Sequence, residues 1–184
     1  MRKDRVYSKG ELLKKVTIKT PERTYIRRIF KTEHANDRFQ DYSRFTLLAS
    51  DPEFKKKIIE VTEKAMRVIL TEYGDMEGEY GVHSESTGIG LIIGWRPDFY
   101  SNDGKNNAFI VSILPLKKSH YFFDVEAELV VESFLKKVVE SARRTKRLIT
   151  EKEGNVDHFT RDNFKVVFVD GKLYEHNIID IIHV

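Results

Sequence analysis

The sequence of 184 residues contains no cysteine, only 4 prolines and no long apolar run. Without cysteine the chain cannot form a disulfide scaffold, use a thiol nucleophile, or hold a zinc finger or an iron–sulfur cluster. The charged N-terminal segment MRKDRVYSKGELLKK lacks the apolar core of a secretion signal. No later apolar run approaches the ~18 residues that a membrane-spanning helix needs. These absences predict a cytoplasmic protein without a membrane span.

Charged residues are abundant but nearly balanced in sign. Lys and Arg number 32 against 29 Asp and Glu, so the formal net charge is +3. A mildly basic chain permits a nucleic-acid partner without requiring one. Hydrophobic residues make up 40% of the chain, which is enough to build a folded core. Since no repeat or biased linker divides the sequence, we expect a single domain over residues 1–184.

Hydrophobic periodicity in the first half predicts strands followed by two helices. Alternation over 13–31 indicates one or two short strands, although its second half also fits a helix. A first helix is predicted over 32–48 with Thr32 as its N-cap. An Asp-Pro pair and a 3.6-residue apolar period predict a long second helix over 52–73.

The second half is predicted as three strands, a third helix and a final hairpin. The strands follow Gly74, and the last two pair around the polar turn SNDGKNN. The third helix is predicted over about 125–148, and Asp170-Gly171 suits a two-residue hairpin turn. The predicted fold class is therefore α+β, with helices packed on one antiparallel sheet and an added helix and hairpin over about 124–184.

Histidine is the side chain best suited to proton transfer near neutral pH, and two of the six histidines stand out. His34 opens the first predicted helix, and Arg38 follows one turn later on the same face. The helix dipole and free N–H groups favour an anion there. The alternative is an ordinary polar pair on the surface. His83 is predicted on a strand and faces away from Val82.

The predicted strands after His83 indicate a basic face with an aromatic residue. Trp95 and Arg96 lie on the next strand, and Lys117 and Lys118 end the one after it. Cations bind phosphates and an aromatic ring stacks on an unpaired base, so this face would suit single-stranded RNA. The alternative is ordinary sheet decoration with Trp95 in the core.

No motif for a metal or a nucleotide cofactor is evident, so we expect none. His83 and Glu85 share a strand face but lack a third ligand at a recognisable spacing. Asp98 and Asp103 flank a predicted loop, where such residues usually serve the turn and bind no magnesium. The segment GIGLIIG lies within a strand and lacks the Lys-Ser/Thr tail of a phosphate-binding loop.

The order of these motifs resembles a known family. The helix start HANDR, from His34 to Arg38, precedes a helix and the strand segments GVHSESTGIGLIIGWRPD and NAFIVSILPLKK. Together, over residues 32–118, they resemble the RelE-like small ribonucleases and toxins, most closely the phage endoribonucleases of the RegB type. The resemblance implies a helix-on-sheet core over about 24–118 that cleaves RNA without metal. His34 and Arg38 match the helix motif, and His83 is a looser match for a second histidine.

The sequence thus predicts a metal-independent endoribonuclease in which the RNA 2′-hydroxyl attacks the adjacent phosphate. His34 and His83 would share the acid and base roles. Arg38, Arg96 and Lys117 would stabilise the phosphate. One alternative is a non-catalytic nucleic-acid-binding module. Another is a phage-encoded inhibitor or protein-interaction factor that uses the C-terminal helix or hairpin.

Overall fold

The computed structural model describes residues 10–43, 47, 53–98, 101, 103–122 and 147–160. Over these residues the chain forms a curled seven-stranded sheet and two helices. In chain order the elements are β1 (Glu11–Lys19), β2 (Thr24–Lys31), α1 (Glu33–Ser43), α2 (Phe54–Glu72), β3 (Gly78–Ser84), β4 (Ile89–Pro97), β5 (Asn106–Pro115), β6 (Arg147–Lys152) and β7 (Asn155–Thr160). The strand order across the sheet is β1-β2-β5-β4-β3-β6-β7. No helix in these ranges is long and apolar enough to cross a membrane.

The sheet is mixed, which corrects part of the predicted fold class. The α+β class is confirmed, and β4 and β5 form the predicted antiparallel hairpin. However, β2 pairs with β5 in parallel and so does β3 with β6, so the expectation of a purely antiparallel sheet is wrong. Parallel neighbours need a long crossover, and the connection from β2 to β5 contains both helices and two strands.

One face of the sheet packs on α2, and we call it the helix face. Apolar side chains recur along α2 at the 3.6-residue period and are buried at Ile58, Val61, Ala65 and Ile69. They form one cluster with alternate side chains of the strands, including Ile29, Tyr80, Val82, Ile89, Leu91, Ile93, Trp95, Ala108 and Ile110. Because successive strand side chains point to opposite sides, the residues between these lie on the other face, which we call the opposite face.

The helix starts agree in part with the sequence predictions. Thr32 caps α1 as predicted, since its Oγ1 accepts the N–H of Ala35 at 3.1 Å and donates to the carbonyl of Ile110 at 3.0 Å. This links α1 to β5. The second helix begins at Phe54, with Glu53 at the N-cap and no side-chain capping bond. The predicted Asp-Pro start at 51–52 lies outside the described residues.

A β-hairpin over residues 147–160 was not predicted. It joins β6 to β7 through Glu153 and Gly154, which have φ values of 52° and 84°, and a type I′ turn requires positive φ at both central residues. Residues 147 and 148, predicted as the end of the third helix, instead begin β6. The rest of that predicted helix and the hairpin around Asp170-Gly171 lie outside the described residues.

Candidate functional site

His34 and Arg38 lie together on α1, as the four-residue spacing predicts. His34 is exposed in the first turn of the helix, and Arg38 is half-buried. The Nε of Arg38 donates to the Nε2 of His34 at 3.5 Å. The pair therefore presents an imidazole with an adjacent guanidinium at the helix start.

His83 lies in a buried setting on β3. Its side chain is 9% exposed, and its Nδ1 is 3.1 Å from the Oγ1 of Thr150 on β6. Burial lowers the pKa of His83 to about 4, although the negative charge of Glu151 acts in the other direction. An imidazole with this pKa is neutral at pH 7 and poorly matched to proton exchange at that pH.

The two histidines lie on separate elements of the fold, one exposed and one buried. α1 packs against β5, whereas His83 is on β3, and β4 lies between these strands. Neighbouring strands are about 4.8 Å apart, so β3 and β5 are separated by about 10 Å. His34 is exposed and His83 is buried, so the arrangement gives no support to a mechanism in which both reach one phosphate.

Trp95 belongs to the helix-face core. It is fully buried, and its Nε1 donates to the Oδ1 of Asp75 at 2.8 Å. The indole therefore offers no surface to a base from solvent, contrary to the role that the sequence suggested. Lys117 is exposed and donates from Nζ to the carbonyl of Ser86 at 3.1 Å, while the side chain of Lys118 lies outside the described part of the chain.

Arg96, in contrast, takes part in a four-residue stack on the opposite face. Phe30 on β2 and Phe109 on β5 are register partners, and their rings stack with centroids 4.9 Å apart and an interplanar angle of 11°. The guanidinium of Arg28 lies over Phe30 at 5.8 Å, and that of Arg96 lies over Phe109 at 5.5 Å. We call Arg28, Phe30, Phe109 and Arg96 the Arg–Phe stack.

Local sequence explains how the stack forms. Arg28 and Phe30 are two residues apart on β2, so both project from the same face. The register partner of Phe109 on β4 is Gly94, and a Cβ added to Gly94 would lie 2.8 Å from a terminal nitrogen of Arg96. The glycine therefore leaves the space in which the Arg96 side chain folds back towards Phe109.

The edge strand β1 extends this surface with exposed apolar and basic residues. Leu12 is the register partner of Phe30, and Lys15 is the partner of Arg28. Leu12 is 51% exposed, Ile26 on β2 is 49% exposed, and Lys15 is also exposed. Over β1 and β2, the opposite face thus presents apolar side chains to solvent beside cations, which is the chemistry that single-stranded nucleic acid requires.

Two carboxylates partly neutralise Arg28. The terminal nitrogens of Arg28 lie 3.7 Å from Asp98 and 3.7 Å from Asp103, and the Arg28 side chain is 29% exposed. The Lys105 N–H and the Ser101 hydroxyl each donate to Asp103 at 3.1 Å. The Lys105 bond has the largest effect on Asp103 and lowers its pKa, with smaller contributions from Ser101 and Arg28. Arg28 is therefore held by long, partly exposed ion pairs.

A second polar cluster surrounds the buried Glu151 on β6. Its carboxylate accepts hydrogen bonds from Ser84 Oγ at 2.8 Å, from Ser86 Oγ at 2.5 Å and from the N–H of Gly154 at 2.6 Å. Burial acts to raise the pKa of Glu151, but these hydrogen bonds outweigh it and lower the pKa. The cluster joins the β3–β4 turn to β6. Among the described residues, no group of three or more His, Cys, Asp or Glu side chains could hold a metal ion.

Comparisons of the chain with protein-family models, with curated proteins and with solved structures gave no match. The resemblance to RelE-like ribonucleases therefore stays a prediction.

Of the four members of the stack, the sequence predicts a functional role only for Arg96. Arg28 and Phe30 fall in the segment YIRRIFK, whose alternation indicates a strand, and Phe109 falls in another predicted strand. The available signal was the two-residue spacing of Arg28 and Phe30, which places a cation and a ring on one strand face. No local signal places Phe109 beside them.

Proposed function

We propose that this chain binds single-stranded RNA on the opposite face of its sheet. The observation that carries the proposal is the Arg–Phe stack, in which two rings are stacked and each has a guanidinium over it. Phe30 is half-buried and reaches solvent, whereas Phe109 is 9% exposed and supports Phe30 from β5. Unpaired bases stack on aromatic rings and on guanidinium planes, and phosphates bind cations.

The surroundings of the stack support the same chemistry. Leu12, the register partner of Phe30, leaves apolar surface in solvent, and Lys15 adds a cation beside Arg28. The net charge of the whole chain is only +3, so long-range attraction to a polyanion is weak. Affinity must therefore depend on local stacking and phosphate contacts. A base stacked on an aromatic side chain contributes roughly 1–3 kcal/mol.

The first experiment measures the affinity of a fluorescein-labelled, unstructured RNA by anisotropy, with the matching DNA in parallel. Phe30→Ala should weaken binding by about fivefold or more because it removes a stacking ring. Ile26→Ala is the matched control, since Ile26 is an exposed apolar residue on the same strand and face, and it should change the affinity less than twofold. Circular dichroism confirms that both variants are folded.

The outcomes separate the alternatives. If the native protein binds neither RNA nor DNA, the proposal is wrong and the protein-interaction alternative takes its place. An unchanged affinity in Phe30→Ala would assign binding to a different surface, and equal losses in Phe30→Ala and Ile26→Ala would show that the aromatic ring has no special role. Equal affinity for RNA and DNA would show that the ribose hydroxyl is not recognised.

RNA cleavage is a second candidate function, and the pair of His34 and Arg38 favours it. In that reaction the exposed imidazole would exchange a proton, and the guanidinium would stabilise the crowded phosphate. The test is RNA cleavage in EDTA with analysis of the product ends for cyclic phosphate. Native protein, His34→Ala and His83→Ala are compared.

Loss of cleavage in His34→Ala but not in a folded His83→Ala variant would assign the chemistry to α1 alone. Loss in both would support the paired histidines. RNA that is bound but stays intact would support the binding function and exclude RNA cleavage.

A further inference from the structure

We infer that the bound single strand runs across the β-strands, with its phosphates along one row of residues and its bases along a neighbouring row. The inference rests on the proposed RNA binding and specifies its geometry. The basic row consists of Lys15 and Arg28, with Arg96 at its inner end, and the apolar row consists of Leu12 and Phe30, with Phe109 at its inner end. Lys15 and Leu12 are exposed and Arg28 and Phe30 are half-buried, whereas Phe109 is only 9% exposed, so the strand contacts the rows on β1 and β2 and the inner residues support Arg28 and Phe30 from β4 and β5.

The apolar row follows directly from the strand register. Leu12 on β1 is the partner of Phe30 on β2, and Phe30 is the partner of Phe109 on β5. Register partners project from the same face, so these three side chains form a line perpendicular to the strands. On β4 the line continues to Gly94, the partner of Phe109, which has no side chain.

The basic row runs beside the apolar row. Lys15 on β1 is the partner of Arg28 on β2. The N–H of Arg28 donates to Oδ1 of Asn107 on β5 at 2.8 Å, and Asn107 is the partner of Arg96 on β4. This row therefore crosses the same four strands. On β2, β5 and β4 it lies two residues from the apolar row, a distance of about 7 Å along the strand.

The two rows match the chemistry of a single strand in one orientation only. A nucleic-acid strand has a continuous line of phosphates on one side and a line of bases on the other. Across the sheet, the cations form one line and the apolar side chains form another. Along β2, by contrast, Ile26, Arg28 and Phe30 alternate, so a strand parallel to β2 would meet cations and apolar groups in turn.

The salt dependence of binding distinguishes residues that contact phosphate from residues that contact bases. Each phosphate contact on a single strand adds about 0.7 to the slope of log affinity against log salt concentration. Lys15→Ala should therefore reduce the slope by about 0.7. Phe30→Leu keeps apolar volume but removes the flat ring, so it should weaken binding about fivefold and leave the slope unchanged.

Lys19→Ala is the matched control for Lys15→Ala. Lys19 is an exposed lysine on the same strand and face, but its register partner is Thr24, which lies outside both rows. The slope should be unchanged in this variant. The probe is the same labelled RNA, titrated at several concentrations of potassium chloride.

Three results would overturn the inference. Equal changes of slope in Lys15→Ala and Lys19→Ala would show diffuse attraction without a defined path. A smaller salt slope in Phe30→Leu, together with an unchanged slope in Lys15→Ala, would show that the phosphates lie along the apolar row and the bases along the basic row. If the native protein binds no RNA, the proposed function itself is wrong. This outcome is distinguishable from the two slope results, because each of those requires measurable binding.

Discussion

Burial of His83 should make the protein sensitive to mild acid. The imidazole is 9% exposed and lies 3.1 Å from Thr150, and its pKa falls from 6.5 to about 4, chiefly because of burial. Between these two pH values the unfolded chain binds a proton that the native protein does not. Stability therefore decreases as pH falls from 6.5 towards 4, and below about 4 the loss is complete.

The size of the effect follows from the same two pKa values. Because one pH unit of difference corresponds to about 1.4 kcal/mol, the native protein should lose about 3 kcal/mol of unfolding free energy over this window. His83→Asn keeps a polar group near the position of Nδ1 and removes the titration. The variant pays a constant cost for lost packing, but its free energy of unfolding should fall less steeply with pH.

The assay is urea unfolding at constant ionic strength across pH 7.5 to 4. Other groups also titrate in this range, so the informative quantity is the difference in unfolding free energy between native protein and His83→Asn at each pH. That difference should shrink by about 3 kcal/mol as pH falls. His34→Asn is the control, since His34 is exposed on α1, and its curve should follow the native one. Parallel curves for native protein and His83→Asn would refute the argument.

Two carboxylates give further predictions. Asp103→Asn keeps the acceptor for the Ser101 hydroxyl but removes a negative charge 3.7 Å from Arg28. RNA affinity measured by anisotropy should therefore rise about two- to fivefold, and the gain should shrink at high salt. A fall in affinity would contradict this prediction. Asp75→Asn removes the negative charge that pairs at 2.9 Å with the buried guanidinium of Arg27. Urea unfolding at pH 7 should therefore show that the free energy of unfolding falls by about 3 kcal/mol. A fall of less than about 0.5 kcal/mol would show that Arg27 finds another partner.

Local signals were sufficient to predict most of the elements before the C-terminal region. The cap at Thr32, the apolar period of α2 and the β4–β5 hairpin each depend on residues close together in sequence, and each is confirmed. The parallel pairs were missed because they join segments far apart in the chain. The β2–β5 pair, for example, brings Arg28 to Asn107, which are 79 residues apart.

The position of Trp95 in the core is predictable from the alternation of apolar residues along β4. In IGLIIGW large apolar residues occupy every second position, at Ile89, Leu91, Ile93 and Trp95, and two of the three residues between them are glycines. Alternation therefore places Trp95 with the core and Arg96 on the other face. A surface with both side chains was not possible on a regular strand. The aromatic partner of Arg96 is instead Phe109 on β5.

The position of α1 relative to the two rows decides whether RNA bound on the rows can also reach His34. α1 begins at Glu33, soon after Phe30, so His34 lies beyond the end of β2 that contains the apolar row. The basic row, at Arg28, is about 7 Å farther back along β2. Ala35, the residue after His34 in α1, is fully buried in the core cluster of the helix face, so α1 packs against that core. RNA on the two rows follows the opposite face, and cleavage that depends on His34 would require a path that leaves the rows. If Lys15→Ala reduces the slope as expected, the face binds RNA without a histidine at the scissile phosphate.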